Sequence, residues 1–296
     1  MAMSREDQLT IAGLLLEAAQ ILRKAGVPEA RREAASLLGH LLGRDRTYII
    51  THAEAVLEDS EVGRFGLLVE RRAAGEPLQY IRGHQEFFNL DFEVTPDVLI
   101  PRPETELLVE AALKLLEAAP PSALICDVGT GSGCIPISLL HERQGLRAVG
   151  LDISAAALRV AARNAARNGV RERLALVASD CFAALRWPRS RFQLIVSNPP
   201  YVAEDALSGL QREVRDYEPR VALTPGADGL RIIRRLLDEA PRFLDEGGHL
   251  LMEIGFDQHE AVRRLIDGEV WQLLDIHQDL QGIPRTVALR KTKAGS

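Results

Sequence analysis

Cysteine is scarce in this 296-residue chain: Cys126, Cys134 and Cys181 are an odd number, widely spaced and without a Cys-x-x-Cys pair. That pattern fits reduced thiols in a cytoplasmic protein and offers no thiolate metal site. The 7 histidines have no ligand spacing, so no metal is expected. Basic charge is also short, with 36 Lys and Arg against 42 Asp and Glu, a formal net charge of −6. A protein that works by broad phosphate neutralisation is disfavoured, and nucleic acid is not the expected partner. No uninterrupted apolar run is long enough to span a bilayer, and the opening Met1-Ala2-Met3-Ser4-Arg5-Glu6-Asp7 is polar and acidic. Neither a membrane span nor a secretory leader is expected.

What is present is ordinary globular material, 46% hydrophobic, without internal repeats or low-complexity segments. From Leu9 to Leu22 and from Glu29 to Leu42 apolar residues recur at helical spacing, with a short segment near Tyr48 and another helix around Val62, Phe65, Leu68 and Val69. These make a small N-terminal helical bundle. Gly75-Glu76-Pro77-Leu78-Gln79-Tyr80-Ile81-Arg82-Gly83 has the composition of a connector, and Phe87 to Val94 alternates like a strand pair turning at Asn89. From Leu124 onward strands and helices alternate. The strands expected are Leu124–Val128, Ala148–Leu151, Leu174–Val177, Phe192–Val196, His249–Ile254, Trp271–Ile276 and Thr286–Leu289. The helices fall near 134–142, 154–167, 228–240 and 257–267, and Lys291 to Ser296 reads as a loose tail. The fold class is α/β, a doubly wound seven-stranded Rossmann-like sheet preceded by the bundle. Expected boundaries are 1–83 for a helical domain, 84–100 for a β-hairpin linker and 101–296 for the sheet domain.

Two stretches carry chemistry. The apolar strand Phe192–Val196 stops at Ser197-Asn198-Pro199-Pro200-Tyr201. The prolines hold Asn198 and Pro199 extended, so that an amide oxygen and a carbonyl project past the sheet edge, where either a substrate N–H₂ group or a simple tight turn would account for them. The first strand runs into Asp127-Val128-Gly129-Thr130-Gly131-Ser132-Gly133. Its glycines allow a ligand close to the backbone, but the spacing is not the Gly-x-Gly-x-x-Gly of a pyrophosphate cradle, so a nucleoside without phosphates fits better. Asp152 closes the second strand, where it can accept from ribose hydroxyls or cap the helix beginning at Ser154. Asp180-Cys181-Phe182 follows the third; Asp180 suits an adenine amino group and Phe182 an apolar or stacking surface. Asp127 either pairs with a ligand ammonium group or anchors its own loop. Glu104 and Glu106 either suit a helix N-terminus or touch substrate from a Pro-flanked loop.

The glycine turn, Asp152 and Asn198-Pro199-Pro200-Tyr201 together resemble a class I S-adenosylmethionine-dependent methyltransferase acting on a planar amide or amine nitrogen. Pro77 to Gly83, Val98-Leu99-Ile100-Pro101-Arg102-Pro103-Glu104-Thr105-Glu106, Glu218-Pro219-Arg220, Gly226-Ala227-Asp228-Gly229-Leu230 and Asp279-Leu280-Gln281-Gly282-Ile283-Pro284-Arg285 narrow this. They resemble the release factor glutamine methyltransferases over nearly the whole chain, least in the bundle. The resemblance implies methylation of the glutamine side-chain amide in the Gly-Gly-Gln loop of bacterial class 1 peptide chain release factors, with S-adenosylmethionine converted to S-adenosylhomocysteine. It implies that Asn198 Oδ1 and the Pro199 carbonyl accept from the substrate amide, and that Tyr201 packs on it beside Pro200. It also implies that Asp127, Gly129 to Gly133, Asp152, Asp180, Cys181, Phe182 and Asn198 line the cofactor. The family often carries a bulky aromatic where this chain has Cys181. A docking role for the bundle, a monomer and a cytoplasmic location complete the expectation. The rivals are a glutamine methyltransferase acting on a ribosomal protein and a DNA adenine N-methyltransferase, which would reach a flipped base.

Overall fold

The computed structural model describes residues 9–186 and 191–292; all but Lys291 and Thr292 of the expected tail lies outside them. The chain forms two compact units. One runs through Gly83 and includes Gln211–Tyr217; the other comprises His84–Leu210 and the chain from Glu218 onward.

In the first unit, helices α1 (Ile11–Lys24), α2 (Ala30–Leu42), α3 (Arg46–Thr51), α4 (Asp59–Ala73) and α5 (Leu78–Arg82) follow in order. Thr10 Oγ1 accepts from the Gly13 amide at 3.1 Å and starts α1, and Gly43 ends α2 in the left-handed region at φ 60. Ile11, Leu22, Leu37, Leu38 and Phe65, spaced to share inward helix faces, bury one core. The segment read as a connector contains α5, started by Pro77 and stopped by Gly83 at φ 77. Five residues between two breakers are too few to show a period. Helix Arg212–Tyr217 belongs to this unit. The buried guanidinium of Arg72 bonds both Glu33 and Glu213, and Tyr217 donates its hydroxyl to the Ala74 carbonyl at 3.2 Å.

The second unit opens with the hairpin β1 (His84–Phe87) and β2 (Leu90–Glu93). Phe88 and Asn89 form its two-residue turn at φ 50 and 58, the left-handed pair that matches strand twist. Phe87 and Phe92 are buried with Leu108 of α6 (Glu106–Leu116), so the hairpin is part of this unit's core. The sheet strands are β3 (Leu124–Val128), β4 (Arg147–Asp152), β5 (Leu174–Ala178), β6 (Phe192–Ser197), β7 (Leu244–Glu253), β8 (Trp271–Gln278) and β9 (Pro284–Lys291). Their order is β5-β4-β3-β6-β7-β9-β8, with β9 antiparallel to both neighbours. Ile125, Leu194 and Leu251 face a core shared with α6 and α7 (Cys134–Glu142); Cys126, Ile195 and Leu250 face helix Arg231–Glu239 and Val262. Both faces are covered, which is why these parallel strands read as continuous apolar runs.

β7 begins at Leu244, five residues before the expected His249. A register shift against β6 absorbs Asp245 to Gly248, whose charges and glycines hide the strand in the sequence. The chain winds outward from β3 through β4 to β5, then returns to β6 on the other side, so the strand order reverses between β3 and β6. A crevice opens at the carboxyl ends there. No helix among the described residues is long and apolar enough to cross a membrane.

Candidate active site

A cavity occupies that switch point. Gly129, Thr130, Gly131, Ser132, Asp152, Asp180, Cys181, Asn198, Pro199 and Pro200 all line it, so one space collects residues from four strand ends. Asp127, Gly133, Phe182 and Tyr201 do not line it.

The glycine turn is pinned to the end of β4. Gly129 and Thr130 donate their amides to the Leu151 carbonyl at 2.8 and 2.9 Å, and Gly131 donates to Asp152 Oδ2 at 2.8 Å. Gly129 and Gly131 have φ 78 and 54, and a Cβ on either would enter open space, so backbone rather than side chains faces the cavity. Gly133 serves packing instead, since a Cβ there would meet Ile137 and Ala161. Asp152 also accepts from the Ser154 amide at 2.8 Å, and Ser154 Oγ caps helix α8 (Ala155–Arg167). Asp152 therefore organises two loops while lining the cavity, and burial raises its carboxyl from the ordinary value. Asp127 is fully buried; among the described residues neither its carboxylate oxygens nor Thr130 Oγ1 has a well-formed hydrogen bond, the Thr130 hydroxyl being only a weak donor to the carboxylate. Burial pushes the Asp127 carboxyl up to about 7, opposed by the Thr130 hydroxyl and reinforced by the charge of Asp152.

Phe182 is not part of the cavity lining. Its ring is buried and stacked on Phe243 with centroids 5.1 Å apart, while Cys181, at φ 48, lines the cavity. Ile153 and Ile232 provide further apolar lining. Asp180 reaches the cavity already paired with Arg235, at 2.6 Å from Nη1.

At the tip of β6, Ser197 Oγ donates to the Val128 carbonyl at 2.6 Å and ties the acceptor loop to the glycine turn. Asn198 donates Nδ2 to Thr105 Oγ1 at 3.0 Å. Among the described residues, Asn198 Oδ1 and the Pro199 carbonyl oxygen accept no hydrogen bond. Tyr201 donates its hydroxyl to Glu253 Oε1 at 3.2 Å, and burial raises its phenol above the ordinary value. Its carbonyl accepts from Gln258 Nε2 at 2.9 Å. Gly229, at φ 76, lies so close to that carbonyl that a Cβ would stand 2.3 Å from it, a physical reason for the glycine in Gly226-Ala227-Asp228-Gly229.

The sequence pointed to Glu104 and Glu106, but Thr105 between them reaches the cavity. Glu106 Oε1 accepts from the Phe88 amide at 2.9 Å and anchors the hairpin turn. Arg102 lines the cavity and pairs with buried Glu218 at 2.5 Å. Glu253 was also missed; its signal was a lone carboxylate in the apolar run Leu250-Leu251-Met252-Glu253-Ile254.

Fold and site together define a methyltransferase of the doubly wound α/β class. Residues 104–213 match the methyltransferase small domain model, and residues 13–83 match the PrmC N-terminal domain model. A release factor glutamine methyltransferase of Nitratidesulfovibrio vulgaris is 44% identical over 95% of this chain and 95% of its own length. Another from Cereibacter sphaeroides is 43% identical over 94% of this chain and 98% of its own length. The structure of a methyltransferase from Pyrococcus furiosus, 16% identical, shares the fold with a TM-score of 0.50, covering 78% of this chain and 99% of that one. The chain belongs to the release factor glutamine methyltransferase family.

Proposed function

We propose that the protein transfers a methyl group from S-adenosylmethionine to the side-chain amide nitrogen of the glutamine in the Gly-Gly-Gln loop of class 1 peptide chain release factors. The observation that carries this is the pair of unengaged acceptors, Asn198 Oδ1 and the Pro199 carbonyl, in one cavity with the glycine turn.

The residues fit the cofactor. The Asp127 carboxylate, which has no well-formed hydrogen bond, suits its ammonium group, Gly129 and Gly131 leave the backbone open to it, and Asp152 retains lone pairs for ribose hydroxyls. Cys181, Ile153 and Ile232 offer the apolar surface for adenine that Phe182 does not. When bound, the cofactor would supply a sulfonium-activated methyl group, with S-adenosylhomocysteine as its neutral product and the surplus amide proton passing to solvent.

The chain's own task is orientation. An amide nitrogen is a weak nucleophile because its lone pair is delocalised. Acceptors for both amide protons hold the nitrogen in one orientation and favour the positive charge that builds on it in transfer. Pro199 and Pro200 line the slot and stiffen it, and Tyr201 behind them is held by Glu253 and Gln258. The helical unit docks the protein substrate, and a cytoplasmic location follows from a partner that works in translation.

Incubation with labelled S-adenosylmethionine and a release factor should label the native protein but not its glutamine-to-alanine variant. A ribosomal protein and a DNA duplex should remain unlabelled. Equal labelling of both release factors overturns the reading. Asn198→Ala should lower transfer by about 100-fold or more, the scale of losing one preorganised hydrogen-bonding group, with cofactor affinity nearly unchanged. A collapse of cofactor affinity instead would contradict the role given to Asn198.

A further inference from the structure

Asn198 works as an acceptor only if its amide presents Oδ1 to the cavity. Its two ends are nearly the same shape, so something must choose between them. Thr105 is buried, and its hydroxyl donates to Glu253 Oε2 at 2.7 Å. A hydroxyl has one proton, and with that proton committed to a carboxylate it offers Asn198 only lone pairs. Nδ2 of Asn198 must then face Thr105, as it does at 3.0 Å, and Oδ1 must face the cavity. The other oxygen of the same carboxylate, Oε1, accepts from Tyr201 at 3.2 Å. One group at the end of β7 thus sets both the polarity of the asparagine and the place of the tyrosine.

We propose that Glu253, acting through Thr105, is a positioning residue that fixes which end of the Asn198 amide meets the substrate. The proposal rests on the reading of Asn198 as the acceptor for a substrate amide. Glu253 is itself buried at the carboxyl end of a strand whose neighbouring positions are apolar. A buried carboxylate is a poor choice for stability alone, since an apolar side chain there would avoid desolvation. Burial pushes its carboxyl up to about 7, against the hydrogen bonds from Thr105 and Tyr201 that favour ionisation.

The test uses full-length Thr105→Val and Thr105→Ser proteins. Valine keeps the volume and removes the relay; serine keeps the hydroxyl. Expected for Thr105→Val is a kcat lower by about 10- to 100-fold, the scale of a small misplacement of a reacting group. Its KM for release factor and its cofactor affinity should stay within about threefold of the parent, and Thr105→Ser should keep kcat within about threefold. In asparagine-¹⁵N-labelled protein, the side-chain amide signal that disappears in Asn198→Ala should show slow proton exchange in the parent and Thr105→Ser, and fast exchange in Thr105→Val. An unchanged kcat in Thr105→Val overturns the proposal, as does an equal loss in Thr105→Ser. If Thr105→Val does not fold, Thr105→Cys, of similar size and a weak hydrogen-bonding partner, replaces it with the same outcomes. The exchange measurement needs no substrate, so it judges the relay even if the parent labels no glutamine, a result that would sink the functional reading alone.

Discussion

Asp127 shows how much chemistry one side chain can imply. A buried carboxylate supported only weakly, by the Thr130 hydroxyl, is unfavourable as an ion, and the group responds by holding its proton up to about pH 7. A bound ammonium group reverses this, because the ionised form then has a charged partner. Binding of S-adenosylmethionine should therefore release up to one proton between about pH 7 and the lower value that the paired carboxyl takes in the complex. The sign is fixed: in that window the free protein carries the proton and the complex does not, so affinity falls as pH drops, by about tenfold per unit at the limit of one proton. Above that range affinity should level off. Calorimetry at pH 6 and pH 8.5, in buffers of different ionisation enthalpy, reads the release directly. Asp127→Asn should abolish it and bind more weakly, and an unaltered release in that variant would show that another group titrates. Asp127 and Asn198 stood out in the sequence because each sits in a local pattern, before a glycine turn or before a proline pair. Thr105 and Glu253 were not, since the contact between them spans 148 residues.

Among the elements, helix α8 does more than cover the sheet. Its Asn164 is fully buried, accepts from the Glu93 amide at 2.7 Å, and donates Nδ2 to the carbonyls of Glu93 and Ser132 at 3.0 and 2.9 Å. One side chain thereby joins β2, the glycine turn and the helix. Removing it strands a buried amide and two carbonyls, so Asn164→Ala should cost about 2–4 kcal/mol, each unsatisfied buried group carrying roughly 1–3. Because Ser132 lies in the turn, cofactor affinity should fall as well. Urea unfolding with an unchanged slope and a lower midpoint, beside a cofactor titration, checks both, and intact affinity at reduced stability would separate the turn from the anchor. The strand and helix pattern that positions Asn164 was readable, because both faces of the sheet are covered and the parallel strands next to α8 are mostly apolar. The anchoring was not, because an asparagine inside an amphipathic helix looks like solvated surface until the partner strand arrives.

At the scale of the whole molecule, the chain leaves the second unit at Leu210, contributes Gln211–Tyr217 to the helical unit and returns at Glu218. No composition shift marks this excursion; Arg212-Glu213-Val214-Arg215-Asp216-Tyr217 looks like any polar helix. Its reason lies at Arg72, one of the consecutive charges Glu70-Arg71-Arg72 yet buried at 2% exposure between Glu33 and Glu213. A guanidinium can engage two carboxylates at once, and a buried one without them would be prohibitive. Arg72→Met fills the space and leaves Glu33 and Glu213 without their partner. Breaking a buried pair costs about 3–5 kcal/mol, and the partial exposure of Glu213, at 34%, places the loss toward the lower end. The segment tied down by Arg72 follows the acceptor loop in the chain, and the helical unit is where the protein substrate is proposed to dock. Arg72→Met, assayed below its first melting transition, should therefore raise KM for release factor several-fold while the affinity for S-adenosylmethionine, whose proposed site lies in the second unit, stays at the parent value. A variant with normal KM and lower thermal stability would confine Arg72 to holding the helical unit together and remove the support it lends to docking.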